Sequence, residues 1–199
     1  MKKRVIIIHG WDGYPEEGWF PWLKKGLEGR GFEVHVPQLP DARRPQIDKW
    51  VPALALAVGA PDEQTYFVGH SMGCQTIARY LESLPEGQKV GGAVFVAGFF
   101  KHLSGLEDDP EVREIDAHWL GTPLDLLKVR DRLPKSAAIF SDDDPWVPLD
   151  NQDDYRDKLG SEIVIEHGKG HFSGSDGISE LPSALSAILK HAQPRRFQK

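Results

Sequence analysis

Tyr66-Phe67-Val68-Gly69-His70-Ser71-Met72-Gly73-Cys74 is the stretch whose reading decides the fold. A run of strand type stops at a turn, and apolar residues at helical spacing (Ile77, Ala78, Leu81, Leu84) resume beyond it. The turn carries the pattern G-x-S-x-G. A serine on a sharp strand-to-helix turn needs small residues two before and two after, because larger ones collide where the backbone doubles back. Such a turn lifts the Ser71 hydroxyl above the end of a sheet. It also aims the next helix's N-terminus at that hydroxyl, so backbone N–H groups face the place where an oxyanion would form. The pattern alone occurs in ordinary loops. The strand before it and the helix after it make Ser71 a candidate nucleophile.

Working outward, Val5 to Ile8 is a β-branched run of the kind expected in a strand buried on both faces of a mostly parallel sheet. It ends in the glycine-punctuated loop His9-Gly10-Trp11-Asp12-Gly13. Trp19 to Leu23 opens a helix, with Pro21 in its first turn and Gly29 to Gly31 at its end. Phe32 to Val36 reads as a second strand, and Pro37 to Pro45 as a loop. Ile47, Trp50, Val51, Leu54, Ala55 and Val58 recur at helical spacing, with Pro52 expected to kink that helix or delay its start. Further strands follow at Ala93 to Ala97, Ser136 to Ser141 and Glu162 to Glu166, and a final helix at Pro182 to Ala192. Residues 99–133 are polar, broken by Pro110, Gly121 and Pro123, and long enough only for a small lid. Strands alternating with helices imply an α/β fold with a doubly wound, mostly parallel sheet of about six strands and no large cap. One domain over residues 1–193 is expected, with a disordered basic tail at 194–199.

Composition narrows the function classes. The net charge of −6 argues against a nucleic-acid or anionic-membrane partner, since either favours clustered Lys and Arg. The apolar run after Met1-Lys2-Lys3-Arg4 is too short for a signal-peptide core, and no run reaches membrane-spanning length. The single cysteine, Cys74, precludes an internal disulfide and suits a reducing compartment. A cytoplasmic protein is the expectation, with the oligomeric state left open.

A serine needs a base to take its proton, and that base needs an orienting carboxylate. In this fold class the partners follow in the order Ser, Asp or Glu, His, each on a loop after a later strand. Asp142-Asp143-Asp144-Pro145-Trp146-Val147-Pro148 follows the strand ending at Ser141. Gly168-Lys169-Gly170-His171-Phe172 follows the strand ending at Glu166, with glycines that leave the loop free to place His171 over the turn. Three adjacent aspartates commonly form a solvated face, and a glycine–histidine pair commonly marks a surface turn. Both at the right strand ends, downstream of the serine turn, argue for a catalytic set.

These segments together resemble an α/β-hydrolase. The closer likeness is to the small lidless serine hydrolases of the retinoblastoma-binding-protein-9-like and YdeN type. The likeness rests on His9-Gly10, Trp19-Phe20-Pro21-Trp22-Leu23, the Ser71 turn, Asp144-Pro145-Trp146-Val147-Pro148 and Gly170-His171-Phe172, which span nearly the whole chain. It implies Ser71 as nucleophile, His171 as base, Asp144 as orienting acid, and an oxyanion hole from the backbone N–H groups of Trp11 and Met72. The reaction implied is hydrolysis of a carboxylic ester or amide of a small molecule through an acyl-serine. The L-x-C-x-E motif linked to the retinoblastoma-binding member is missing, since Cys74 sits in Gly73-Cys74-Gln75, so that partner is not expected here.

Alternation puts Asp142 and Asp144 on the same side and cannot choose between them. Pro145 favours Asp144 by restricting the backbone before it, and Asp142 and Asp143 are expected to face solvent or cap the loop. His70 is expected to pack or hydrogen-bond locally, and His9 to support the loop after the first strand. The remaining histidines, His35, His102, His118, His167 and His191, have no evident partner. No spacing suggests a metal site, and neither a phosphate-binding loop nor a dinucleotide fingerprint is present, so no cofactor is expected. Trp11, Tyr14, Trp19, Phe99, Phe100, Trp119 and Trp146 fall on loops at the active edge. Trp11 and Trp146 are the candidates for substrate contact, and Trp22 and Trp50 for the core. Two competing readings use the same fold: a binding protein with little or no turnover, and an acyltransferase.

Overall fold

A computed structural model describes residues 2–105 and 110–193; the tail expected at 194–199 lies outside the described residues. Six strands form one sheet: β1 (Arg4–Ile8), β2 (Glu33–His35), β3 (Thr65–His70), β4 (Gly92–Val96), β5 (Ser136–Ser141) and β6 (Glu162–Glu166), in the order β2-β1-β3-β4-β5-β6. Every pairing is parallel. The helices are α1 (Phe20–Glu28), α2 (Ile47–Val58), α3 (Met72–Ser83), α4 (Pro110–Gly121), α5 (Leu126–Arg132) and α6 (Pro182–His191).

Strand alternation divides the apolar runs between two cores. Ile6 and Ile8 of β1, Phe67 of β3 and Phe95 of β4 pack with Trp50 and Leu54 of α2, Ile77 and Leu81 of α3 and Val129 of α5. Val5 and Ile7, Val68, and Val94 and Val96 face the other way, onto Phe20, Leu23 and Leu27 of α1 and Ala184 and Ile188 of α6. A strand covered on both faces has no polar side, which is why these segments read as unbroken β-branched or aromatic runs. Strand order reverses between β1 and β3, opening a crevice above their C-terminal ends. The loop after β1 and the Ser71 turn after β3 flank that crevice.

The second strand is shorter than Phe32 to Val36 suggests. Its register with β1 covers only Glu33 to His35, and the proline at 37 cannot extend the ladder. α2 starts at Ile47 and runs through Pro52, whose ring points to solvent where no neighbour obstructs it. Among the described residues, 99–105 and 110–133 hold two separate helices and no cap domain. α5 starts at an Asp125 cap that accepts from the N–H groups of Leu127 and Lys128. Two short turns, Leu149–Asn151 (3₁₀) and Asp154–Leu159 (π-helical), fill the connection from β5 to β6. No helix among the described residues is long and apolar enough to cross a membrane.

Candidate active site

Ser71 sits between β3 and α3 at φ 52°, ψ −119°, a left-handed backbone for a residue with a side chain. Holding it there costs of order 1–3 kcal/mol. The flanking glycines make it possible. A Cβ at Gly69 would fall 2.9 Å from the Cys74 nitrogen and 2.8 Å from Ile77 Cδ1. At Gly73 it would fall 2.7 Å from the His9 carbonyl oxygen, and closer still to that of Ile8. The turn is tied down from both sides, Ser71 N–H donating to the Val96 carbonyl (2.9 Å) and Cys74 N–H to the Ser71 carbonyl (2.9 Å). Ser71 caps α3 without a side-chain bond to the helix, so its hydroxyl is not spent on capping. As the first residue of α3, Met72 has an N–H with no intrahelical acceptor.

The loop after β1 passes directly against the serine. A Cβ at Gly10 would lie 3.0 Å from Ser71 Cβ, so only glycine lets the backbone carry Trp11 past it. His9 anchors this loop. Its Nδ1–H donates to the Gly10 carbonyl (2.8 Å), and its Nε2 accepts the Leu39 N–H (3.0 Å). The ring is fully buried, and burial pushes its pKa down, so it acts as a neutral brace.

The three aspartates have three different fates. Asp142 pairs with the exposed His167 (Oδ2 to Nδ1, 2.6 Å) and accepts the Gly168 N–H (3.1 Å). Asp143 accepts the Ser141 hydroxyl (2.6 Å) and the Gly170 N–H (2.8 Å). Both carboxyls are held below the ordinary carboxylate range, chiefly by the His167 and Ser141 hydrogen bonds respectively. Asp144 turns inward: its side chain is 2% exposed and its Oδ2 lies 2.8 Å from His171 Nδ1. Its Oδ1 accepts the N–H groups of Trp146 (2.9 Å) and Val147 (3.0 Å), which fixes the carboxylate plane. A carboxylate oxygen only accepts, so His171 carries its proton on Nδ1, leaving Nε2 as the basic nitrogen. The chain turns at Asp142 and Asp143, so simple alternation does not extend to Asp144.

Ser71, His171, Gly10, Trp11, Met72, Phe99 and Trp146 line one cleft of about 430 Å³, together with Leu103, Val112, Asp12 and Glu17. Trp146 meets the His171 ring edge-on at 4.8 Å. The aromatic mouth is smaller than the sequence suggests. Trp19 and Trp119 are fully buried, their indole N–H groups donating to the Phe172 and Pro45 carbonyls (both 2.9 Å). Phe100 stacks on Tyr155, and Tyr14 projects to solvent away from the cleft. Trp50 is in the core as expected, whereas Trp22 is only half-buried, against the α1–α6 core.

Two participants escaped the sequence reading. Asp176 accepts from His171 N–H (3.0 Å), Ser173 N–H (2.9 Å) and the Ser173 hydroxyl (2.6 Å); the cluster Ser173-Gly174-Ser175-Asp176 was its available turn signal. His167, without a partner in sequence, is the counterpart of Asp142, which raises its pKa. Among the described residues no group of three His, Cys, Asp or Glu side chains converges as metal ligands.

A parallel sheet crossed by a serine turn at its switch point, with an aspartate–histidine pair delivered by later strands, defines the α/β-hydrolase class. Residues 5–190 match the serine hydrolase family, and the chain belongs to it. It is 34% identical over 192 residues to the hydrolase YdeN of Bacillus subtilis, covering 96% of this chain and 97% of that protein. It is 26% identical over 192 residues to the serine hydrolase RBBP9 of Rattus norvegicus, covering 95% and 97%. The crystal structure of YdeN superimposes with a TM-score of 0.86 at 31% identity, covering 95% of this chain and 98% of that one. Est1E from Butyrivibrio proteoclasticus shares the fold at a TM-score of 0.71 and 15% identity, covering 96% and 88%.

Proposed function

We propose that this serine hydrolase cleaves a carboxylic ester or amide of a small molecule through an acyl-serine intermediate. The observation that carries the reading is the 2.8 Å link between buried Asp144 and His171, in the cleft that Ser71 also lines. His171 Nε2 takes the Ser71 hydroxyl proton as Oγ attacks the carbonyl carbon. The oxyanion that forms is met by the N–H groups of Met72 and Trp11. Among the described residues neither N–H is engaged elsewhere, and Gly10 brings Trp11 within reach of the serine. Asp144 holds the Nδ1–H tautomer and stabilises the imidazolium. The imidazolium then passes its proton to the departing alcohol or amine as the carbon–oxygen or carbon–nitrogen bond breaks. Water, deprotonated by the same nitrogen, attacks the acyl-serine and returns the free enzyme. Trp11 and Trp146 contact the substrate's apolar portion. Buried Cys74, whose pKa burial drives upward, takes no part. The cytoplasm is the proposed location.

A fluorophosphonate probe should label the wild type and leave Ser71→Ala unlabelled. Turnover of short p-nitrophenyl esters separates an enzyme from a binding protein. Rates for wild type no better than for Ser71→Ala would overturn the reading.

A further inference from the structure

His70 is joined by a peptide bond to the nucleophile, and its ring reaches across the sheet edge to the residue bearing the base. His70 Nε2 lies 2.7 Å from the main-chain carbonyl oxygen of His171. A carbonyl oxygen can only accept, so the proton is on Nε2 and the unprotonated nitrogen is Nδ1. The ring cannot swing away. It is 4% exposed, the rings of Trp19 and Phe20 meet it edge-on at 6.1 and 6.2 Å, and the His171 ring tilts over it at 4.9 Å. Its Nδ1 side faces the loop after β1, where a Cβ at Gly10 would come within 3.4 Å of it.

We propose that His70 is a positioning residue: its Nε2–H bond to the His171 carbonyl sets the separation between the nucleophile and its base. The inference rests on the catalytic roles proposed above for Ser71 and His171. A side chain one residue from the serine thus spans the loop that carries the base. The Asp144 bond sets the tilt of the His171 ring and Asp176 holds the His171 N–H, whereas the His70 bond ties the main chain from which the ring hangs to the residue beside the nucleophile. His70 does this as a neutral imidazole. Burial, reinforced by the neighbouring His171 ring, holds its pKa down at about 3; the hydrogen bond to the His171 carbonyl and the charge of Asp176 oppose the shift, and His9 adds to it. The neutrality matters chemically. A cationic ring 4.9 Å from His171 would oppose formation of the imidazolium on which the reaction depends.

His70→Phe keeps an aromatic filler and removes the donor, and His70→Gln restores an N–H donor of similar reach. The expected result is kcat lowered about 10- to 100-fold in His70→Phe with KM within about threefold, and most of that loss recovered in His70→Gln. Equal kcat in wild type and folded His70→Phe would overturn the proposal, as would a His70→Gln no better than His70→Phe. A measurement independent of turnover is the ¹⁵N imidazole spectrum of the wild type. His70 should show a proton on Nε2, none on Nδ1, and no titration between pH 5 and 8. A proton on Nδ1, or titration near the ordinary histidine value, would overturn the proposal even in a protein that folds well. If instead the wild type takes no fluorophosphonate label while the spectrum is as expected, the catalytic reading fails and the positioning role falls with it, the His70–His171 bond remaining as a structural tie.

Discussion

Two parts of the cleft lining are built on different principles. On the base side, every backbone N–H from Gly168 to Ser173 donates to a fixed acceptor: Asp142, the Ser141 hydroxyl, Asp143, Asp176, the Lys169 carbonyl and Asp176 again. The His171 and Phe172 carbonyls accept from His70 and Trp19. Leu103 and Val112, which also line the cleft, bring aliphatic side chains to it. Val112 lies in the first turn of α4, where Glu111 pairs with Arg44 (2.6 Å), and the far end of that helix is anchored in the core. There Trp119 enters the core and Arg79 donates to the Trp119, Thr122 and Pro123 carbonyls. A wall pinned bond by bond suits groups whose mutual geometry must not change during reaction. Aliphatic side chains make no directional demand and suit a substrate whose shape varies.

The sharpest way to break this comparison is at the acid. Asp144→Asn should lower kcat about 10³- to 10⁴-fold, because the imidazole loses its tautomer and the support of its charged form. Asp142→Asn should stay within about tenfold, or about 1.4 kcal/mol of barrier. Steady-state kinetics on one short ester decides both, and the reverse ranking would reassign the acid. Asp176→Ala comes next. It strips acceptors from His171 and Ser173 without touching the Asp144 link, so kcat should fall about tenfold, with slower fluorophosphonate labelling. If the pinned wall matters less than its geometry suggests, labelling will be unchanged.

Val112→Ala should act on the opposite property. Its kcat on an acetate ester should match wild type, while kcat/KM for longer acyl chains changes about fivefold, the scale of a methylene contact or two. A series of ester chain lengths reads this directly. The smallest effect belongs to Glu17. Among the described residues, it and Asp12 are the carboxylates that line the cleft, and no lysine or arginine does. Glu17→Gln should raise kcat/KM for an anionic ester about threefold and leave a neutral one unchanged, as expected of a charge several ångströms away in water. Burial raises the Glu17 pKa, so its charge is lost at a higher pH than an ordinary carboxylate's. Discrimination against anions should therefore fade as pH falls through that raised value.

The sheet was legible because its central strands are buried on both faces and so carry unbroken apolar runs. β5 and β6 are bounded as read from the chain, and β2 differs only at its ends. The serine turn was legible because its steric demands admit only glycine at 69 and 73. The fate of the aspartates was half legible. Pro145 pointed to Asp144, but the turn at 142–143 that carries it inward depends on Gly168 and Gly170, residues distant in sequence. The aromatics were misread for a related reason. Trp19 and Trp119 look like loop aromatics locally, and only distant carbonyls, Phe172 and Pro45, make it favourable to bury their N–H groups. Asp176 and the His70 bond were out of reach, because each depends on where a loop folds back rather than on any periodicity.

One consequence of the sheet order concerns how the protein fails. β6 is one of the two rim strands: it pairs on one side only, with β5, and its side chains stay half-exposed. His171 hangs from the end of that strand, whereas Ser71 hangs from β3 deep in the middle. Rim strands open at lower free energy than interior ones. Mild denaturant should therefore peel the base away from the nucleophile while the sheet from β1 to β5 is still intact. Inactivation should precede the loss of signal from the buried tryptophans, and the two midpoints should converge when β6 is clamped to β5.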